Sequence, residues 1–365
     1  MRAAALASGI RCARLLTVLF FTVTAAALAD DWPQWMGPRR DGIWREPGIL
    51  ERFPTNGPPV LWRVPIFPSY CGPAVVGDRL FVMDREAGKA GERKRGDRSL
   101  PQIPGNERLL CIDTRTGRTL WEQVYDCPYR IAYPSGPRAT PVVENGRVYT
   151  LGAMGGLRCH AAATGSNLWS RQFLKDFDLA EPPVWGWSAH PLLDGDRLIC
   201  TVGGSNCAIV AFDKQTGREM WRALTTPEIG YAPPAIHTIH GRRQLIFWHP
   251  DGVAALSPDT GKVLWTQAYP VGGKPQRPEV TIAMPRVDGD RLFITSFYQG
   301  SMLLQIPREG AEPVVLWNRR SSSKSTFNDG LHTTMATPVI RDGHIYGICG
   351  AGELRCLDLR TGDRE

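Results

Sequence analysis

The chain has 365 residues and a formal net charge of +7, and 42% of its residues are hydrophobic. This length is large for a single compact core. The positive charge is scattered along the sequence rather than arranged in a stripe, so no nucleic-acid partner is indicated.

Residues 1–29 have the features of a secretory signal. Three arginines lie among the first 14 residues, residues 15–28 form an apolar stretch, and Ala-Leu-Ala at 27–29 is a small-x-small cleavage pattern. A membrane anchor is the alternative, but the apolar stretch is short for a span and ends in the cleavage pattern. We therefore predict a periplasmic or secreted protein with no transmembrane span after cleavage. No cysteine directly follows the cleavage site, so no lipid anchor is indicated.

The segments before the first regular hairpin are irregular. Residues 30–59 are rich in Pro, Gly and Trp, which predicts an irregular N-terminal arm over the fold. Residues 60–66 begin Val-Leu-Trp-Arg-Val and are typical of an outer strand that lacks the rest of its sheet. Residues 84–107 carry a basic insertion, interpreted as a solvated surface loop, with a contact to an acidic partner or a membrane surface as the alternative.

The stretch Ala208–Trp221 contains the first of two hairpins that recur along the chain. Ile209–Phe212 is an apolar run, too short for a helix and followed at once by a turn, which predicts a buried strand. Gly217 supplies the positive φ of the turn, and Trp221 follows four residues later. Further copies of this pattern end at Trp121, Trp169 and Trp265, a looser copy runs from Gly310 to Trp317, and another begins at Thr361-Gly362.

The second recurring hairpin is led by a proline and turns at a glycine. Pro191 to Arg197 and Pro285 to Arg291 each place Asp-Gly-Asp between apolar residues, which is a strong hairpin signal. The remaining copies open at Pro73, Pro141, Pro234 and Pro338. Two hairpins per repeat give four antiparallel strands, and successive tryptophans stand 44 to 52 residues apart. The pattern predicts an all-β fold, a β-propeller of four-stranded blades over residues 60–365, with the tryptophans packed between blades.

Together the two signatures resemble the pyrroloquinoline-quinone (PQQ)-type repeat, from about residue 60 to the end. That repeat is found in quinoprotein dehydrogenases and in the propeller lipoprotein of the outer-membrane β-barrel assembly machinery, so the resemblance implies a scaffold and leaves the function open. Six blades are visible, whereas those families more often have seven or eight. Two interpretations stand: a truncated chain, or a six-bladed ring in which residues 60–66 complete the last sheet. Contacts between Leu61–Val64 and Leu354–Leu357 would support the ring.

The cysteines are expected to be free thiols. Eight remain after residue 29, none adjacent in sequence and none in a Cys-x-x-Cys-His haem motif. Cys111, Cys159 and Cys356 share a repeat position, and equivalent positions on neighbouring blades lie too far apart for a bridge. Cys200 and Cys207 form the one plausible disulfide.

No metal site is predicted. His237 and His240 are close in sequence but lie on a strand–turn hairpin, where alternation places them on opposite faces. The Asp-Gly-Asp triplets at 194–196 and 288–290 lack the further oxygen ligands that calcium needs, and hairpin turns explain them.

The long loops all fall on one face of the predicted propeller. They are the blade-to-blade crossings at 125–139, 171–189, 267–283 and 318–335, together with the insertion at 84–107. Function concentrates on such loops, so this face is the candidate ligand-binding surface. Its candidate residues are Tyr70, Tyr133, Trp185, Trp187, His190, Tyr231, His249, Asp329 and His332. His190 and His332 are the first choice for a test, although each aromatic residue could instead serve only to pack the loops.

The sequence supports three possible functions to different degrees: a binding scaffold, a quinoprotein dehydrogenase and a hydrolase. Nothing in the chain demands chemistry, which favours a non-catalytic scaffold that binds a polypeptide or envelope partner, without a cofactor. The resemblance implies as an alternative a quinoprotein dehydrogenase that oxidises an alcohol or sugar with PQQ and calcium, in which Trp187 would be the floor under the quinone and Asp329 the base. The adjacent cysteine pair and the calcium ligands of those enzymes are missing. A hydrolase lacks support because there is no Gly-x-Ser-x-Gly motif.

Overall fold

A computed structural model describes residues 30–89, 99–275, 277–308, 311–323 and 326–365. The predicted signal segment, part of the basic insertion and Gly310 of the looser repeat lie outside the described residues. The statements below concern the unit from Asp31 to Glu365.

The described residues form six antiparallel sheets in chain order, here called blades 1 to 6, and the all-β prediction is confirmed. Blades 1 to 5 have four strands each, and blade 6 has three. Blades 1 to 3 contain β1 Ala74–Val76, β2 Arg79–Ala87, β3 Gly105–Asp113, β4 Thr119–Asp126; β5 Val142–Glu144, β6 Arg147–Leu151, β7 Gly156–Ala161, β8 Asn167–Gln172; and β9 Leu192–Asp194, β10 Arg197–Thr201, β11 Ile209–Asp213, β12 Glu219–Ala223. Blades 4 to 6 contain β13 Ala235–Ile239, β14 Arg242–His249, β15 Gly252–Leu256, β16 Val263–Ala268; β17 Arg286–Asp288, β18 Arg291–Ser296, β19 Gly300–Gln305, β20 Val314–Arg319; and β21 Val339–Arg341, β22 His344–Ile348, β23 Leu354–Asp358. The short helix α1, Phe173–Asp176, follows β8.

The outer hairpin of each of blades 1 to 5 has a bulge beside its tryptophan. In blade 3 the register shifts between Ala211 and Phe212, and Ala211 pairs directly with Trp221. Cys111 and Cys159 occupy the same position opposite Trp121 and Trp169. In blades 1 to 4 the residue opposite the indole is therefore small, with Ala255 opposite Trp265, whereas blade 5 has Leu303 opposite Trp317.

The tryptophans pack between blades, as predicted. The Nε1 of Trp169 in blade 2 donates a 3.1 Å hydrogen bond to Lys214 O in the turn of blade 3. A Cβ on Gly217 in that turn would lie 2.6 Å from the Trp169 ring, so the glycine is required by close approach as well as by its φ of +71°. Trp121, Trp221 and Trp317 repeat the arrangement with Ala162 O, Pro258 O and Leu359 O. Trp265 differs and donates to Gln244 of its own blade.

Residues 60–66 do not complete blade 6. They form no strand, and the Trp62 indole packs on Gly117 of blade 1, where its Nε1 donates to Thr114 O at 2.7 Å. Leu61 is 83% exposed and Leu354 is 72% exposed. Within the described residues, the contacts that would support closure as six are absent.

The N-terminal arm runs along the first strands of the blades. Trp32 exchanges backbone hydrogen bonds with Val75 of β1, at 2.8 and 2.9 Å, and Pro33 O accepts one from Val143 of β5. Further along, the buried Arg40 side chain reaches the residues that precede β9 and β13. The first strands of blades 1 and 2 contact one another, as do those of blades 5 and 6, so the arm follows the inner edge of the blades.

Candidate functional site

A cavity of ≈ 380 Å³ opens among the loops beside blades 3 and 4. It lies between the crossing before β9, the turn after β10, the crossing before β13 and the crossing before β17. These are loops of the face to which the sequence assigned ligand binding. Much of the lining is proline and aliphatic side chain: Leu179, Pro182, Pro183, Val184, Val202, Pro227, Ile229 and Pro278. An apolar pocket of this size with a few charged groups at its border suits a side chain or small ligand.

The charged border of the cavity is centred on Arg277. Its guanidinium lies 3.2 Å from Glu228 Oε2 and forms a second ion pair with Asp251. Glu228 also accepts a hydrogen bond from the backbone N–H of Glu279 at 3.1 Å. Burial raises the pKa of the Glu228 carboxyl, an effect that the Glu279 amide and Arg277 oppose. The border thus contains one cation already shared between two carboxylates.

An aromatic wall adjoins this border. Tyr231 is buried, and its ring lies 4.9 Å from that of Trp185 at an interplanar angle of 51°. Burial raises the pKa of the Tyr231 hydroxyl far above its ordinary value. Both residues were candidates from sequence, and the structure brings them together at the cavity.

His249 lies close to Asp251, one of the two carboxylates paired with Arg277. Its Nδ1 is 3.9 Å from Asp251 Oδ2, and its ring stacks on Phe247. Burial lowers the pKa of His249 to about 4, partly opposed by Asp251. The imidazole is therefore neutral near pH 7.

Three of the other candidates are enclosed by the protein. Trp187 is fully buried and donates from Nε1 to Val202 O at 2.9 Å. His332 is buried between Phe297 O and Ser321 N, at 2.8 and 3.0 Å from its two nitrogens. His190 stacks on Trp35 of the arm, with centroids 4.6 Å apart, and its Nδ1 accepts from Thr140 N. These contacts hold the loops together, so each of the three side chains is engaged within the protein.

The last three candidates lie elsewhere on the surface. Tyr70 and Tyr133 are 53% and 68% exposed. Arg138 joins them, with its guanidinium 5.1 Å from the Tyr70 ring centroid and Nη2 2.5 Å from Tyr133 O. Asp329 is half-buried and close enough to His332 to affect its pKa. The structure thus divides the predicted site. Tyr231 and the buried Trp187 are among the residues that line the cavity, while Trp185 contacts Tyr231 and His249 lies near Asp251.

The residues named for a quinone do not fit one. A planar cofactor needs an open tryptophan face, whereas a Cβ on Gly155 would lie 2.9 Å from the Trp187 ring and Phe173 closes its edge. The chain also has no adjacent cysteines. All eight cysteines after residue 29 are free, including Cys200 and Cys207.

Sequence reasoning missed Arg277, Glu228 and Asp251, which carry the charge of the cavity. They lie in loops without a repeating pattern. Their only sequence signal is position, because Arg277 falls in the crossing at 267–283 and Glu228 in the crossing before β13. Among the described residues, no helix has the length and apolar character needed to cross a membrane.

Comparison with known proteins gives consistent similarities. The family model described as "Outer membrane protein assembly factor BamB" matches residues 105–365. The outer membrane protein assembly factor BamB of Yersinia pestis is 24% identical over 242 residues, covering 61% of this chain and 54% of the relative. This chain therefore spans about half the length of that curated relative.

Two solved structures align with this chain, and the first of them shares its fold. BamB from Moraxella catarrhalis aligns with a TM-score of 0.50 and 17% identity, over 84% of this chain and 75% of the other. A quinohemoprotein alcohol dehydrogenase from Pseudomonas putida aligns with a TM-score of 0.49 and 15% identity, over 80% and 57%.

Proposed function

Because the chain belongs to the family described as outer membrane protein assembly factor BamB, we propose that it is an exported, non-catalytic propeller scaffold that binds a polypeptide of the cell envelope on its long-loop face. The Yersinia pestis relative is an outer membrane protein assembly factor, and a scaffold that holds polypeptides is the simplest role of that kind. The signal pattern in residues 1–29 supports export.

The observation that carries the proposal is the lining of the cavity between blades 3 and 4. Much of its lining consists of proline and aliphatic side chains, which suits an apolar side chain of an incoming peptide. Among the described residues that line it, the one arginine is already paired with Glu228 and Asp251, while Glu181 adds a further carboxylate. The excess of acid favours a peptide with a lysine or arginine next to the apolar residue.

The arrangement of polar groups also favours binding over hydrolysis. The Thr226 hydroxyl lies 3.0 Å from Asp251 Oδ2, and His249 Nδ1 lies 3.9 Å from the same oxygen. In a catalytic triad the histidine stands between the hydroxyl and the acid. Here the acid stands between the other two, so it would not activate the hydroxyl.

Fluorescence polarisation with short labelled peptides tests the proposal. Peptides with a central Phe-Lys are expected to bind more tightly than peptides with Phe-Glu. Val184→Asn at the cavity should weaken binding about fivefold or more, the loss expected for about one buried methyl-sized contact. Val314→Asn is the control, since Val314 is also exposed but lies on the outer strand β20.

Two outcomes would contradict the proposal. One is the same affinity for the two peptides in wild type and in Val184→Asn. The other is stoichiometric binding of PQQ and calcium with turnover in a dye-linked alcohol oxidation assay, which would favour the dehydrogenase.

A further inference from the structure

We propose that His344, Cys356 and Glu365 on the exposed face of blade 6 form a zinc-binding site. One ligand atom from each of these side chains lies within 4.8 Å of the others. Within the part of the chain that the structure describes, this is the one such group of three or more His, Cys, Asp or Glu residues. The sequence predicted no metal site, because the histidines with ligand-like spacing, His237 and His240, lie on opposite faces of a hairpin, and His344 is far from Cys356 and Glu365 in sequence.

Strand alternation and register bring the three residues together. β22 and β23 are antiparallel, and Tyr346 pairs with Cys356. His344 precedes Tyr346 by two residues, so its side chain is on the same face of the sheet. After the turn that follows β23 the chain returns beside that strand, and Glu365 N donates to Cys356 O at 3.1 Å. Each of three adjacent segments thus contributes one ligand.

The hydrogen bonds of His344 leave one nitrogen ready for a cation. Nδ1 lies 2.8 Å from Asp342 O, and a carbonyl can only accept, so Nδ1 carries a proton. The other nitrogen, Nε2, lies 2.9 Å from Glu365 Oε2. A neutral imidazole with Nδ1 protonated presents a lone pair at Nε2, and that lone pair faces a carboxylate oxygen. Nε2 and this carboxylate oxygen therefore both offer a lone pair in the same small region, where a metal ion could bind both. A metal-binding histidine typically donates its second N–H to a backbone carbonyl, as His344 does.

The donor set selects the metal. Nitrogen, sulfur and one carboxylate oxygen suit zinc or a similar borderline cation, whereas calcium and magnesium prefer oxygen ligands alone. Ligand atoms around tetrahedral zinc stand about 3.3 to 3.7 Å apart, so the side chains need to move by about 1 Å. The His344 and Glu365 side chains are 32% and 52% exposed, which leaves them free to do so.

Three protein ligands leave the fourth tetrahedral position to water or to another ligand. Zinc would also join β22, β23 and the segment at 364–365, which a single backbone bridge between Leu357 and Arg364 otherwise helps to connect. Bound metal should therefore raise the melting temperature of the protein, by mass action on the folded state.

Cobalt is the spectroscopic probe for this site. The full chain, freed of any affinity tag and reduced, is titrated with Co²⁺ and then with Zn²⁺. We expect one equivalent of cobalt to give the charge-transfer absorption of a cobalt–thiolate bond, and zinc to abolish it. Cys356→Ser should remove the absorption, and His344→Ala should weaken cobalt binding about tenfold or more.

Matched controls use residues of the same kind that are outside the cluster. Cys71→Ser changes another partly buried thiol, and His240→Ala changes a histidine that lies 3.7 Å from Asp290 without a nearby thiol. Both variants should keep wild-type absorption. If His344→Ala does not fold, Glu365→Gln at an exposed side chain replaces it.

The proposal is overturned if wild type gives no thiolate absorption with cobalt, or if the absorption persists in Cys356→Ser. It is also overturned if His240→Ala weakens binding as much as His344→Ala. None of these outcomes depends on what the cavity between blades 3 and 4 binds.

Discussion

Replacing Arg40 with alanine should loosen the N-terminal arm and destabilise the propeller. Arg40 is 8% exposed, and its guanidinium donates to Pro191 O at 2.9 Å, Pro234 O at 3.3 Å and Gln34 Oε1 at 3.3 Å. The carbonyls belong to the residues just before the first strands of blades 3 and 4. One side chain thus fastens the arm to two blades.

The expected loss follows from two opposing effects. Burial lowers the pKa of Arg40 from 12.5 to about 10, which corresponds to about 3 kcal/mol against the charged form. These three hydrogen bonds from a charged donor contribute about 2 kcal/mol each, or about 6 kcal/mol, and a fourth to His190 O is long, at 3.4 Å, and is left out of the sum. The difference is about 3 kcal/mol, so Arg40→Ala should lower the free energy of unfolding by about 2–4 kcal/mol.

Urea unfolding measures that loss, and hydrogen exchange of residues 31–42 shows where it occurs. Arg45→Ala is the control, because Arg45 pairs with Asp41 within the arm at a partly exposed position and should change the free energy of unfolding far less. Equal stability of Arg40→Ala and Arg45→Ala, with unchanged exchange in the arm, would refute the reasoning.

Two further predictions concern pH and the inter-blade tryptophans. Burial lowers the pKa of His249 and of His237 to about 4, from 6.5. Between those values the unfolded chain binds more protons, so stability falls as pH falls, by about 2 kcal/mol per histidine from about pH 7 to about pH 5. His249→Gln should flatten the pH dependence of urea unfolding by that share, and an unchanged slope would contradict it. Gly217→Ala should destabilise the protein by about 2 kcal/mol more than Gly241→Ala. Both glycines have a positive φ, but only the added Cβ at Gly217 contacts a ring, that of Trp169. Similar urea midpoints for the two variants would count against inter-blade packing.

The blades could be predicted because each signature is local. Thr-Gly followed by tryptophan fixes a turn, a bulge and an inter-blade contact within a few residues, as Gly217 and Trp221 show. Trp265 also packs in the core that blades 4 and 5 share, but its hydrogen bond differs from the others, for the same reason. The repeat that follows it has no Thr-Gly before its own tryptophan, and the indole bonds Gln244 of its own blade instead.

The site was only partly predictable because it depends on contacts between distant segments. Loop length indicated the face on which the cavity opens, and Tyr231 lines that cavity while His249 lies near it. His190 was chosen because it precedes an inner strand, and nothing near it in sequence reveals that Trp35 stacks on it from 155 residues away. Arg277 pairs with residues 26 and 49 positions earlier, in two other loops.

The arm also explains why the candidate site is at the loops rather than at the inner edge of the blades. Trp35 and Arg40 cover His190 and the residues before β9 and β13, so a ligand would have to displace both to reach that edge. Displacement would forfeit the roughly 3 kcal/mol assigned to Arg40, about a hundredfold in affinity, before any contact forms. The cavity between blades 3 and 4 carries no such penalty, because it is already open among loops that rigid sheets hold in place. A partner that presents a short apolar and basic segment would therefore bind there in preference to the inner edge.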